Sequence, residues 1–307
     1  MPPFDVIMVG DVNVDIVLGG LHALPALGTE ELAQELDFRG GGSVCNCACA
    51  AANLGLRVAM CGVVGADAFG DYMLSYLRRH EVDTSNVLRI EGLKTGATVS
   101  LSLKSDRALA TYLGSIGVLS ASHLDTSNFR NARHLHTGSY FLLRGMAGGW
   151  RWLLEEARKA GLTTSMDLGW DPAQKWNGEL RGALDLVDVL LPNEEEALHL
   201  TGANSPEDAL ERLASPQRTV VVKRGPLGSA ARLGDHVASE PAFQITVKDT
   251  TALGDCFNAG FILAWLEQRP LKQCLRYGNA AAAVAASRLG DERFATREEV
   301  EALLTEA

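Results

Sequence analysis

Apolar residues come along this chain in two rhythms. Short, nearly continuous runs read as strands buried on both faces: FDVIMVG, VAMCGVVG, HLHTG, TTSMDLG, VDVLLPN and RTVVVKRG. Between and around them, helical patterns cover residues 43–55, 70–80, 148–160, 193–201 and 206–214. That alternation predicts an α/β fold with a mainly parallel sheet sandwiched by helices. Two stretches break it: residues 12–38, and TGATVSLSLKSDRALATYLGS from Thr95, which alternates with period two around a Lys-Ser-Asp-Arg turn. They predict a small antiparallel sheet outside the main one. Without a fixed repeat, a low-complexity tract or a flexible linker, residues 1–307 read as one domain, with lid strands inserted at about 12–38 and 95–115. The last third is helical: LKQCLRYGNAAAAVAASRLG packs closely through its alanines, and TREEVEALLTEA follows it.

A hydrophobic content of 47% over 307 residues supports a large core. The formal net charge of −10 argues against the phosphate backbone of nucleic acid, or an anionic membrane surface, as the partner. A small anionic substrate stays open, because local charge can oppose net charge. The amino-terminal MPPFDVIMVGDVNVD has no basic n-region, and no window holds about 18 uninterrupted apolar residues, so a soluble, cytoplasmic protein is expected. Six cysteines in that setting read as small reduced core residues. Cys45, Cys47 and Cys49 invite a metal, but on a helix the first and last share a face while Cys47 points almost the other way.

The phosphate-binding motif GxxxxGK(S/T) is absent; GADAFGD puts Asp71 where its lysine would stand. GxSxG and HExxH are absent too, which weakens hydrolase and metalloprotease readings. Three constellations remain. In GDVNVDIV, a strand would turn Asp11, Asn13 and Asp15 to one side, a row suited to sugar hydroxyls or simply a solvated edge. In RGGGSVCNCACAAANLG, three glycines precede a helix capped by Ser43 with Asn46 in its first turn: either a ligand-binding turn or a tight turn onto an alanine-rich helix. In LLPNEEEALHLTG, Asn193 and Glu196 share a helix face and would either hold a hydrated magnesium or complement the helix dipole.

The order of these segments, with CGVVGADAFG, VVKRGPLGS and DTTALGDCFNAG, resembles the ribokinase-like family, the PfkB carbohydrate kinases, over nearly the whole chain. Gly41, Gly42, Asn46 and Gly55 are similar to its first signature, and Gly62, Gly65, Asp67 and Gly70 to its second glycine cluster. Asn193 and Glu196 match its NxxE motif; Asp249, Thr250, Gly254 and Asp255 resemble its closing signature, DTxGAGD. There the chain departs from pattern: Ala252-Leu253-Gly254 stands where the family has Gly-Ala-Gly, whose N–H groups form the anion hole. If position 252 needs a positive φ, strain of order 1 kcal/mol or more is expected.

The resemblance implies a kinase that uses ATP with Mg2+ and transfers the γ-phosphoryl to a primary hydroxyl of a small sugar or sugar derivative. Asp255 would be the base, ionised at neutral pH, with the N–H groups of Ala252, Leu253 and Gly254 holding the phosphoryl. Asp11, Asn13, Asp15, Gly41, Gly42 and Asn46 would bind the acceptor under the lid strands, with His136 and Arg107 as further candidates and Arg107 or Arg144 as partners for an acidic group. Asn193, Lys223, Gly225 and Gly228 would meet the phosphates and ribose of the nucleotide, and Asn279 its base. Asn193 and Glu196 would hold Mg2+ through water, and Asp249, Thr251, Ser287 and Gly290 fall where family members hold a monovalent cation such as K+. A nucleoside kinase of the same fold, and a sugar- or nucleotide-binding protein whose transferase activity has decayed, are the alternatives. The apolar alternation of ATVSLSL suits pairing with a second copy, so a homodimer is expected.

Overall fold

In a computed structural model, which describes residues 3–103, 107–176 and 180–306, all six apolar runs form strands. Chain order begins β1 (Val6–Val9), β2 (Asn13–Leu21), β3 (Glu35–Gly41), α1 (Ser43–Asn53), β4 (Val58–Gly65), α2 (Ala68–Arg79) and β5 (Asp83–Ile90). It continues with β6 (Gly96–Leu103), β7 (Arg107–Tyr112), β8 (His134–Thr137), α3 (Trp150–Lys159), β9 (Thr163–Met166), α4 (Leu180–Leu184) and β10 (Val189–Leu190). The remainder is α5 (Glu194–Thr201), α6 (Pro206–Leu213), β11 (Thr219–Lys223), β12 (Ser229–Leu233), β13 (His236–Glu240), α7 (Leu253–Leu266), α8 (Leu271–Ala286) and α9 (Arg297–Glu306). Residues 104–106 of the expected Lys-Ser-Asp-Arg turn lie outside the described residues.

Nine strands form the main sheet in the order β13-β12-β11-β10-β9-β8-β1-β4-β5. From β11 to β5 every pairing is parallel, and β12 and β13 extend it as an antiparallel hairpin. The pleat of β1 shows how both faces become core: Val6 and Met8 pack with α1, α7 and α8, while Ile7 and Val9 pack with α3 and α6. The strands absent from the sequence reading are the edge strands β5 and β13, where exposure removes the apolar run, and β12, whose SAARL is too small and polar to form one. Among the described residues, no helix is long and apolar enough to cross a membrane. All six cysteines are buried as free thiols.

The four-stranded sheet, ordered β3-β2-β6-β7, stands at the carboxyl end of the parallel strands, since β1 feeds into β2 through Gly10-Asp11-Val12. It is not antiparallel throughout: β2 pairs with β6 in parallel, flanked by antiparallel β3 and β7. Register sets Asn13, Asp15, Arg39, Thr98, Ser100 and Arg107 on one face. Val14, Ile16, Leu36, Phe38, Val99 and Leu101 occupy the other.

Candidate active site

The polar face of the small sheet looks onto two helix starts. Asp11 is 3% exposed, in the β1–β2 turn rather than on a strand, and its carboxylate closes the first of them: Oδ1 accepts from Val44 N (3.0 Å), and Oδ2 from Ser43 N (2.9 Å) and Ser139 Oγ (2.8 Å). The residue at the N-cap of α1 is Gly42, at φ 96, and not the expected Ser43. A Cβ on Gly42 would stand 2.8 Å from Asn13 Oδ1, and one on Gly41 would stand 2.2 Å from Asp15 Oδ1. The two glycines therefore admit the Asn13 and Asp15 side chains against the turn. Asn13 Nδ2 donates to Asp15 Oδ1 (3.1 Å), and burial pushes the Asp15 carboxyl up to about 6.

Relieved of capping, Ser43 Oγ donates to Asp255 Oδ1 (2.6 Å), and Asn46, on the same face of α1, donates to Oδ2 (3.2 Å). Asp255 lies in the first turn of α7, whose N-cap is Ala252 at φ 61, ψ 13. The chain thus places an alanine in the left-handed region, with strain of about 1–2 kcal/mol. The first helical bond of α7 runs from Cys256 N to Ala252 O, leaving the N–H groups of Leu253, Gly254 and Asp255 without a helical acceptor. The expectation that Asp255 is ionised at neutral pH does not hold for the free protein. Burial pushes its carboxyl up to about 8, against the pull of the Ser43 hydrogen bond, and the nearby Asp167 carboxylate adds to the rise.

Lys223 ends β11, and instead of being solvated its ammonium is buried: Nζ donates to Asp167 Oδ2 (2.6 Å) and Asn258 Oδ1 (3.2 Å). Burial disfavours its charge, yet the carboxylates of Asp167 and Glu196 hold its pKa above the usual lysine value. A Cβ on Gly254 would stand 3.5 Å from this Nζ, so the ammonium lies against the open start of α7. Asn193 and Glu196 form a reciprocal capping box on α5: Asn193 Oδ1 accepts from Glu196 N (2.8 Å), while Glu196 accepts from Asn193 N (3.0 Å) and Nδ2 (2.9 Å). Both carboxylate oxygens already have donors, so the pair fits a metal held through water rather than a directly ligated one. Burial pushes Glu196 up to about 7.

Gly225 begins a short 3-10 turn after β11, with open space beside its Cα, and Gly228 leads from that turn into β12. Asn279 is committed otherwise than expected: its Nδ2 donates to the carbonyls of Glu240 (3.1 Å) and Pro241 (3.0 Å), pinning the end of β13 to α8.

A cavity of about 260 Å³ gathers Asp11, Asn13, Asp15, Gly42, Asn46, Arg107, Thr251, Ala252 and Asp255, together with Ser43, Thr98, Ser100 and Ser139. His136 is not among them. It sits fully buried on β8 with Nδ1 on Ser165 Oγ (2.7 Å), and burial pushes its imidazole down to about 4. Arg144 is exposed and also stands off the cavity. A larger cavity of about 870 Å³ shares Val17, Arg107 and Thr251 with the first, and Arg39, Asp249 and Gly290 line it.

The four residues expected around a monovalent cation are engaged by this chain's own groups. Arg39 Nη1 lies 2.8 Å from Asp249 Oδ2, Arg107 Nη1 donates to Thr251 Oγ1 (3.0 Å), and Arg293 Nη1 to Gly290 O (3.2 Å). Ser287 Oγ donates to Val284 O (2.7 Å). The sequence reading also missed Ser139, Asp167 and Asn258. Only Asp167 carried a local signal, as a carboxylate directly after a short buried strand.

The model of the pfkB family carbohydrate kinases matches residues 4–296. The ATP-dependent ribose-1-phosphate kinase of Halopiger xanaduensis is 32% identical over 98% of both chains. The ribokinase of Haemophilus influenzae is 28% identical over 95% of both. A solved structure of Arabidopsis thaliana ribokinase complexed with ribose and ATP superposes with a TM-score of 0.83 at 25% identity, covering 99% of each chain.

Proposed function

Since this chain belongs to the pfkB family of carbohydrate kinases, we propose that it transfers the γ-phosphoryl of ATP to a primary hydroxyl of a small sugar or sugar derivative, with Asp255 as the base. The observation that carries this reading is the Asp255 carboxyl, held by Ser43 and Asn46 at the start of α7 and on a cavity lined with hydroxyl-binding groups. Asn13, Asp15 and Asn46 bind the acceptor's hydroxyls, while Asp11 holds the Gly42–Ser43 turn that shapes the cavity floor. Asp255 orients the attacking oxygen and takes its proton. The N–H groups of Leu253 and Gly254, with the Lys223 ammonium beside them, stabilise the charge on the passing phosphoryl.

The nucleotide is placed along Asn193, Lys223, Gly225 and Gly228, with the base reaching toward the region that Asn279 braces. Mg2+ bound with the nucleotide supplies charge compensation on the phosphates, and the Asn193–Glu196 pair would hold its water shell. The four-stranded sheet acts as a lid that excludes water from the transfer. Its other face is apolar and keeps Leu36 (72%) and Tyr112 (59%) exposed, so a second copy is placed there as the partner of a homodimer. A monomer by light scattering would remove that last point.

Coupled ADP release with Mg-ATP over a panel of sugars, sugar acids, sugar phosphates and ribonucleosides tests the reading. One acceptor turns over, and Asp255→Asn lowers its kcat about a thousandfold. Turnover confined to ribonucleosides would make the chain a nucleoside kinase. Ligand-induced melting shifts with no turnover on any acceptor would make it a binding protein.

A further inference from the structure

The segment after β13 and the turn before α9 supply groups that suit a monovalent cation, but three guanidinium groups already occupy them. Arg39 comes from the lid strand β3 and is 3% exposed; besides Asp249, its Nη1 lies 3.3 Å from Asp37 Oδ2. The contact to Asp249 is short and charge-assisted. Asp249 also accepts from the N–H of Thr251 (2.7 Å), the residue directly before the left-handed Ala252. Its carboxyl stays below the usual aspartate range: burial pulls it up, and the Thr251 N–H and the Arg39 guanidinium more than offset that. Arg293 is 1% exposed and reaches from Gly290 O to Asn46 Oδ1 (2.9 Å) and Gly40 O (3.2 Å). It thereby ties the same segment to the asparagine that holds Asp255.

A free cation at this place would share Asp249 with a fixed positive charge at hydrogen-bond distance and lose much of its attraction. An arginine guanidinium stays charged at every physiological pH, so its occupancy does not depend on the ionic medium.

We propose that Arg39, with Arg107 and Arg293, stands in place of a monovalent cation beside the anion-hole turn, so that this kinase works without K+. Arg39 is then a positioning residue, acting through Asp249 and the Asp249–Ala252 turn on the N–H groups of α7. Because Arg39 comes from lid strand β3 and Arg107 from lid strand β7, two side chains tie the lid to the turn that carries the anion hole.

The rate arm of the test rests on the kinase reading; the melting arm does not. Melting temperature, with and without Mg-ADP, and initial ADP-release rate are measured in KCl, NaCl and tetramethylammonium chloride at one ionic strength of about 0.15 M. The wild type is expected to show one melting temperature in all three salts and rates within about twofold. A K+-specific rise in wild-type melting temperature, or a rate more than about fivefold higher in KCl, overturns the proposal. Arg39→Met is expected to lower the rate in tetramethylammonium and to recover part of it, with a rise in melting temperature, in KCl; Arg39→Lys is expected to remain salt-indifferent. If Arg39→Met does not fold, the exposed Arg107→Met is read in the same way. A folded variant as indifferent to K+ as the wild type counts against the proposal. If no acceptor turns over, the kinase reading fails while the three melting curves still decide this one.

Discussion

Helices α1 and α7 both begin on the same cavity, and the chain finishes them differently. The start of α1 is closed by a carboxylate from elsewhere, since Asp11 takes Ser43 N and Val44 N. At α7 no side chain caps the helix; Ala252 turns the backbone through the left-handed region, and Lys223 adds positive charge beside the open N–H groups. The same helix-end electrostatics are satisfied by a carboxylate in one place and leave the first N–H groups open in the other. Asp255 sits between them, on α7 but held by hydroxyl and amide donors from α1.

The strongest way to test that contrast is through pH. With its carboxyl raised to about 8 by burial, Asp255 is protonated in the free protein at neutral pH, so kcat/KM should climb about tenfold per pH unit up to about pH 8 and then level. The same group binds its proton more tightly folded than unfolded, so its contribution to stability should decline as pH rises from about 4 through 8, which melting curves across that window would reveal. A flat rate profile between pH 6 and 8 would mean that the Asp255 carboxyl is already ionised there, and the base would then be identified by the loss of turnover in Asp255→Asn.

Next in size is Lys223→Met. It leaves the buried Asp167 carboxylate without its counter-charge, with only the Asn258 amide, among the described residues, still donating to it, and a loss of about 3–5 kcal/mol in denaturant unfolding is expected, together with weaker use of ATP. Asp11→Ala should cost about 2 kcal/mol by exposing the Ser43 and Val44 N–H groups, and raise the KM for acceptor more than that for ATP. If it raised only the KM for ATP, the division between the two helix starts would be wrong. The smallest effect is expected from Ala252→Gly: relief of left-handed strain against the entropy of an added glycine nets about 1 kcal/mol or less, with the melting temperature unchanged or slightly higher.

What the sequence made legible followed from how local each signal is. The inner strands of the main sheet are buried on both faces and announce themselves as apolar runs. Edge strand β5, DTSNVLRI, buries only Thr84 and Val87 and carries no apolar run to announce it. In the site, the fold gathers Asp255, Asn46 and Asn13 on one cavity, and these sit inside short motifs and were legible as candidates. Ser43, Arg39 and Arg293 were not, because each meets its partner across more than 200 residues of chain: Ser43 at Asp255, Arg39 at Asp249, Arg293 at Asn46. Their side chains look ordinary until the fold supplies the other half. His136 and Asn279 show the opposite case, polar residues whose hydrogen bonds go to the protein's own interior. The Asn193–Glu196 spacing, legible as a metal pair or as a complement to the helix dipole, closes a reciprocal capping box at the start of α5.

The parallel pairing of β2 with β6 has a consequence for how this molecule can be made and cut. Between those neighbours the chain runs through β3, α1, β4, α2 and β5, so two strands of the main sheet are threaded between the halves of the small one. The two halves meet only after a long loop has closed around structure that belongs to the body, which makes the β2–β6 ladder a late and entropically expensive contact in folding. No single pair of backbone cuts removes the small sheet and leaves the main sheet whole, and its strands cannot be grafted onto another protein as one contiguous piece.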